Sequence, residues 1–410
     1  MLGSYVTIFK TPGALRFSFA GFIGRMPISM EGLSLIFFIV AKTHKYSIAG
    51  AMTAMASIVV AIASPIWSRL ADQFGQRKIL LLVAPVRIIL VIVLILAVDH
   101  NAPKWSWFLL VMIAEIPAIN VGGLVRRRWI HVLERRGDDH SKDPDAARDL
   151  INTAYSYEAL MDEIVFIFGP LIATACATLI SPPAGLIAAM IFLGIGLPIL
   201  ALQTSSEPPA VPKNKVDPHP AVIRNRTIQA IILPATFIGG FFGAVSLTVV
   251  GFAEYHNAAK RTGLLLAIWA LGSATSAVIN GAIKWRTTYA KRFLIALVVL
   301  LLFSTPFIFA RNIPMMAAAL FINGLAISPL IVTAYGVAET AVPASQITEA
   351  LAWVIAGMPL GGALASAITG VVIDHYGATT GLLIPTLFLC GSLLTVLPYR
   401  NSWRLLLNNH

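Results

Sequence analysis

Twelve apolar runs, each close to the roughly 17–25 residues a helix needs to cross a bilayer, alternate along this chain with short polar segments. They extend from Ala14 to Ala41, Ser47 to Trp67, Ile79 to Val98, Trp105 to Val125, Ile151 to Ile180 and Ala184 to Gln203. The second set runs from Ile228 to Phe252, Gly263 to Ile283, Phe293 to Ala310, Met315 to Val337, Thr348 to Ile373 and Gly381 to Leu397. In lipid every backbone polar group must find its partner inside the protein, so only helices and closed barrels can span. Runs this long exceed the about 9–11 residues of a membrane strand. With 12% charged residues, 57% hydrophobic ones and a mean hydropathy of +0.80, the chain is far from the roughly 25% charge of soluble domains. The expected fold is an all-α membrane protein of twelve transmembrane helices. The first run carries Arg25 and Glu31 and has no small-residue cleavage site, so it reads as a retained span and not a signal peptide.

The net charge of +11 does not form an aromatic-interleaved basic surface, and nucleic acid is excluded as a partner. The basic residues cluster in alternate polar segments: Arg69, Arg77 and Lys78; Arg126 to Arg128 with Arg135 and Arg136; Lys213, Lys215, Arg224 and Arg226; Lys284, Arg286, Lys291 and Arg292. Positive residues stay in the cytoplasm, which places both termini there, in a cell membrane. Arg126 to Asp149 reads as a basic amphipathic stretch at the headgroup surface, with Trp129, Ile130, Val132 and Leu133 among its arginines. Ser205 to Arg226, rich in Pro, Lys and Ser, reads as a linker. It divides the chain into residues 1–204, 205–226 and 227–410, with six spans on each side. A degenerate repeat supports the division: Tyr157-Glu158-Ala159-Leu160 opens the fifth span and Thr348-Glu349-Ala350-Leu351 the eleventh.

The polar segment Ser68-Arg69-Leu70-Ala71-Asp72-Gln73-Phe74-Gly75-Gln76-Arg77-Lys78 joins the second and third spans as a tight turn. Its order of residues resembles the loop between helices 2 and 3 of the major facilitator superfamily of secondary transporters. Ser68 replaces the usual first Gly, and Gln73 and Gln76 replace basic residues, while Asp72, Gly75, Arg77 and Lys78 match. The resemblance implies two pseudo-symmetric six-helix bundles around a central path lined by helices 1, 4, 7 and 10. It also implies a cytoplasmic gate in which Asp72 binds an arginine at the inner end of helix 4, Arg126 to Arg128 being in reach, and the positive end of helix 11 near Thr348. Capping of the turn by Asp72 is the alternative. Glu158 and Glu349, at equivalent places, join the gate or serve packing. Gly24-Arg25-Met26-Pro27, Gly169-Pro170, Ser328-Pro329, Glu339, Val342-Pro343 and Trp353 are similar to a bacterial subgroup, frequent among actinobacteria, described as efflux-type permeases.

Ionisable groups within a span are costly and are functional candidates by default. At 1.5 Å of rise per residue, Arg25, Arg87, Glu115, Asp162 and Glu163 fall near one depth close to the midplane, with Glu31 further out. Either they form a self-compensating ion network, or one acid lacks a counter-charge and exchanges a proton, Glu31 and Glu115 being the best placed. The resemblance makes Glu31 the membrane-embedded acid of helix 1. It also expects an arginine in helix 4 of proton antiporters, near where Glu115 stands.

No Ser-His-Asp set, phosphate-cradling loop or metal-ligand spacing is present, so neither an enzyme nor a bound cofactor is expected. Cys176 and Cys390, inside apolar runs, read as small buried hydrophobes. The leading reading is proton-coupled efflux of small amphipathic or cationic compounds. The alternatives are a sugar or amino-acid importer and a non-transporting membrane sensor or assembly partner.

Overall fold

The computed structural model describes residues 8–137, 144–210, 225–283, 285, 287–342 and 347–408, which form no β-strand. The helices are α1 Ala14–Thr43, α2 Tyr46–Phe74, α3 Gln76–Asp99, α4 Lys104–Glu115, α5 Val121–Gly137, α6 Pro144–Leu179 and α7 Ala184–Leu202. They continue with α8 Arg226–Tyr255, α9 Thr262–Ala282, α10 Tyr289–Ser304, α11 Pro306–Phe309, α12 Ile313–Gly324 and α13 Ile327–Thr340. The last four are α14 Ile347–Tyr376, α15 Ala378–Gly381, α16 Leu383–Leu394 and α17 Arg400–Asn408. Among the described residues eleven helical segments are long and apolar enough to cross a membrane, and the broken pair α4 and α5 accounts for the remaining crossing of the expected twelve.

Three helix starts are set by side-chain caps. The Asn225 side chain accepts from Thr227 N at the head of α8, Thr288 from Lys291 N at α10, and Asn312 from Met315 N at α12. These caps occupy donors that a helix start leaves unpaired. Between α2 and α3 the chain reverses on Gly75 at φ +93°, a conformation in which a side chain would be strained.

Association in lipid relies on close packing more than on hydrophobic burial, and small residues let backbones approach. A Cβ at Gly24 or Gly196 would collide where α1 crosses α7. Gly239, Gly243 and Gly361 play the same part between α8 and α14. Ile89, Leu96, Ile191 and Val278 point outward, as lipid-facing side chains do.

The fourth crossing is not the single helix expected from Trp105 to Val125. It breaks at residues 116–120. Pro117 has no N–H to continue the ladder, and the carbonyl of Ile116 instead accepts the Trp67 indole N–H of α2 at 2.6 Å. The Asn120 side chain then accepts Gly123 N at 3.0 Å and starts α5. The tenth crossing has a milder break, at Leu325 and Ala326 ahead of Pro329.

The headgroup placement expected for the stretch after Arg126 also needs correction in its described part. Trp129 and Arg128 are fully buried, because α5 packs its aromatic face on Phe17 of α1 and Tyr157 of α6. Residues 138–143, and 211–224 of the expected linker, lie outside the described residues.

Candidate functional site

The charges expected at one depth separate into two clusters and a single acid. In the first cluster Arg25, buried on α1, donates to Asp162 Oδ1 at 2.7 Å and to Glu158 Oε2 of α6. Its Nε bonds the Gly21 carbonyl at 3.1 Å. Glu158 Oε1 accepts from Ser18 Oγ at 2.6 Å and from the Trp129 indole at 2.7 Å. Arg126 completes the set by donating to Asp162 Oδ2 at 2.6 Å. Two cations meet two acids here, and each carboxylate has more than one donor, as buried charges require. Glu158 is thus part of a buried hub, in line with the packing role that stands beside the gate as its alternative.

In the second cluster one cation serves two acids. Arg87 Nη2 of α3 bonds both Glu31 of α1 and Glu115 at the end of α4. Glu31 Oε1 and Arg87 Nε are buried with no partner. The break after Glu115 places this carboxylate at the end of a half-helix, so crossing 4 supplies it from a C-terminus and not from mid-helix. Glu163, turned away from both clusters, accepts only a long 3.4 Å bond from Ser273 Oγ of α9.

At the end of α2 that bears the polar turn, hereafter the Asp72 end, the carboxylate pairs with Arg127. Of the arginines in reach by sequence, Arg126 to Arg128, Arg126 turns instead toward Asp162, because neighbours on a helix differ by about 100°. The turn is fastened from the other side by Glu207, whose Oε1 accepts Arg77 N at 2.8 Å and lies 3.1 Å from where a Cβ of residue 75 would stand. Arg77 and Lys78 are themselves exposed. Arg128 staples α5 to the same end, donating to Gln76 Oε1 at 2.7 Å, Gln203 O at 2.9 Å and Ser206 Oγ at 2.9 Å. The side chain of Glu349 lies outside the described residues.

Sequence reasoning missed the opposite, Tyr46 end. The Asp374 carboxylate, in the last turns of α14, accepts from Tyr46 N at 2.7 Å and Ser47 N at 2.8 Å, capping α2. The Tyr46 hydroxyl donates to Glu254 of α8. Nearby, Gly50 and Gly370 bring α2 and α14 so close that a Cβ would come within 2.2 Å of Ser366 O or 2.3 Å of Tyr46 O. Between α6 and α9, Gly263 meets the Pro170 carbonyl in the same way, at 2.3 Å. The helices before and after residues 205–226 are therefore joined at the Tyr46 end.

An all-helical, multi-pass fold with broken crossings is an architecture that secondary transporters share. The model of the Major Facilitator Superfamily matches residues 232–406, and that of the MFS_1 like family matches residues 35–142. With the fold, these matches support membership of the major facilitator superfamily and a transporter in place of an enzyme. No curated protein matches the sequence significantly. Among solved structures, the nucleoside transporter NupG is similar at 12% identity and a TM-score of 0.71, over 95% of this chain and 98% of that one. A POT family transporter in complex with a thioalcohol-conjugated peptide aligns at 12% identity and TM-score 0.70, covering 94% and 96%. A bacterial homolog of the human lysosomal transporter Spinster, inward-facing and occupied, aligns at 12% and 0.64, covering 96% and 95%. At these identities the likeness is one of fold.

Proposed function

We propose that this chain is a proton-coupled exporter of small amphipathic or cationic compounds. It works by rocking two six-helix halves, residues 1–204 and 227–410, about a central cavity. The observation that carries this reading is the join between the halves at the Tyr46 end, where α2 meets α14 and α6 meets α9 by backbone contact. A seam tight at one end is what alternating access requires of one of its two states. The corresponding breaks in crossings 4 and 10 support a site between them, since interrupted helices at equivalent places in two repeats mark such sites.

The basic clusters at the Asp72 end favour placing it, and both termini, in the cytoplasm of a bacterial cell. Asp72, Gly75, Arg77, Lys78 and Arg127 then form the inner gate, in which Asp72 holds crossings 2 and 4 together through Arg127. Coupling is assigned to the Glu31, Arg87 and Glu115 cluster. One guanidinium cannot neutralise two carboxylates, and an added proton does. Metabolite uptake is the second reading, favoured by the nucleoside and peptide transporters among the structures of similar fold.

The test is flux into proteoliposomes under an imposed pH gradient, with a panel of lipophilic cations, nucleosides and short peptides. The parent is expected to move a lipophilic cation against the proton gradient, and Glu31→Gln or Glu115→Gln to lose the gradient dependence. Gradient dependence unchanged in both variants would reject the assigned coupling. Uptake of a nucleoside or peptide alone would favour the second reading.

A further inference from the structure

Of the four acids expected near the midplane or just outside it, Glu31, Glu115, Asp162 and Glu163, Glu163 alone has no cation. We propose that Glu163 and Ser273, facing each other across the α6 and α9 seam, form a proton-binding site that sets which end of the seam is open. This rests on the rocking mechanism proposed above, but not on the Glu31, Arg87 and Glu115 cluster.

The surroundings of Glu163 explain why no positive charge reaches it. On its own helix, Asp162 and Glu158 take up Arg25 and Arg126. Of the helices packed against α6, neither α9 nor α7 contains an ionisable residue. From α1, Arg25 is engaged by Glu158 and Asp162, Glu31 by Arg87 and Lys42 by the Asp99 carbonyl, while Arg16 is exposed about two and a half turns before Arg25. From α5, Arg126 holds Asp162, Arg127 holds Asp72, and Arg128 is held by Gln76 and Ser206. The remaining ionisable residues of α5 (His131, Glu134, Arg135 and Arg136) lie more than a turn beyond Arg126, further toward the Asp72 end. Lys260 and Arg261 lie on the turn before α9, beyond the Pro170 contact with Gly263 and so about two turns from Glu163.

The position of the carboxylate gives its protonation a mechanical effect. Glu163 lies seven residues before Pro170, about 10 Å down the seam from the tight contact with Gly263. It is half-buried, and its bond from Ser273 is at the long limit. A carboxylate here is tolerated while water reaches it from the Asp72 end; closing α6 onto α9 at that end would strand the charge in an apolar seam. Taking up a proton removes the charge and turns the carboxyl into a donor for Ser273 or for a backbone carbonyl. The neutral form therefore favours closure at the Asp72 end, and the anion favours the arrangement seen here. An equilibrium between two seam geometries is biased by the proton to the extent that they differ in affinity for it.

The experiment uses the full chain in proteoliposomes, with Cys176 and Cys390 replaced by Ala and a reporter at Asn152→Cys. Asn152 is exposed on α6 toward the Asp72 end. Labelling by an impermeant maleimide is expected to slow as the pH falls. Glu163→Gln should be slow at every pH, Glu163→Asp should keep the pH response, and Ser273→Ala should shift its midpoint. In pH-difference infrared spectra, the carboxylic-acid carbonyl band that accompanies the transition should disappear in Glu163→Gln and persist in Glu31→Gln and Glu115→Gln. A band and labelling profile unchanged in Glu163→Gln overturn the inference, whatever the flux assay returns for the Arg87 cluster. If Glu163→Gln fails to fold, an unshifted midpoint in Ser273→Ala overturns it. Loss of gradient-driven flux only in Glu31→Gln or Glu115→Gln, with Glu163→Gln responding as the parent does, sustains the coupling reading and overturns this one.

Discussion

A buried arginine stabilises a membrane helix bundle only while its acids remain with it. Arg25 is enclosed by Glu158, Asp162 and the Gly21 carbonyl, so Arg25→Met leaves Glu158 charged, buried and without its cation. Breaking such a pair costs about 3–5 kcal/mol, whereas replacing both partners is often nearly neutral. Arg25→Met is expected to lower the thermal midpoint in detergent, and adding Glu158→Leu to recover much of it; equal losses in the single and double variants would contradict the pairing. At the Asp72 turn, Asp72→Asn removes the charge that Arg127 meets and should raise labelling from the Asp72 end in a cysteine-accessibility assay. The cost of intramembrane charge was enough to single out Arg25, Arg87, Glu31, Glu115, Asp162 and Glu163 from the sequence. It did not say which base meets which acid, because a rise of 1.5 Å per residue fixes depth and leaves the rotation and tilt of each helix open. Asp374 and Glu254 gave no signal at all, since acids at the ends of spans are ordinary.

Helices in this chain are shaped as much by what they lack as by what they contain. Pro27, Pro65, Pro85, Pro170, Pro198, Pro234 and Pro359 all sit inside helices that continue past them, so Pro117 on its own announced nothing. What distinguishes Pro117 is the Trp67 indole, which takes the Ile116 carbonyl and makes the break tolerable in a membrane. That partner is on another helix and 49 residues earlier, beyond the reach of any local pattern. The twelve crossings were legible because apolar length is a local property. Contact between α2 and α14 tests the element scale directly. Gly50→Val puts a branched side chain where even a Cβ would lie 2.2 Å from Ser366 O, so the Tyr46 end should no longer close. A reporter cysteine at that end is expected to become accessible from its own side, and the Asn152→Cys reporter less so.

For the molecule as a whole, the rocking mechanism proposed above requires the Tyr46 end to separate. Ser47 N lies 2.8 Å from the Asp374 carboxylate, which brings Ser47→Cys and Asp374→Cys within reach of a disulfide bridge. In a background lacking Cys176 and Cys390, oxidation of that pair is expected to stop gradient-driven flux, and a reductant to restore it. Persistent flux in the oxidised form would mean that the halves do not part there. Helix α2 links all of these places. Its first turn is tied to Asp374, its middle approaches Ser366, its Trp67 braces the interrupted fourth crossing, and its last turn offers Asp72 to Arg127. With 29 residues at 1.5 Å each it is a rod of about 43 Å. A tilt that frees its head must swing its foot, so the exits at opposite membrane faces share one lever and both cannot stand ajar together without bending it at Pro65.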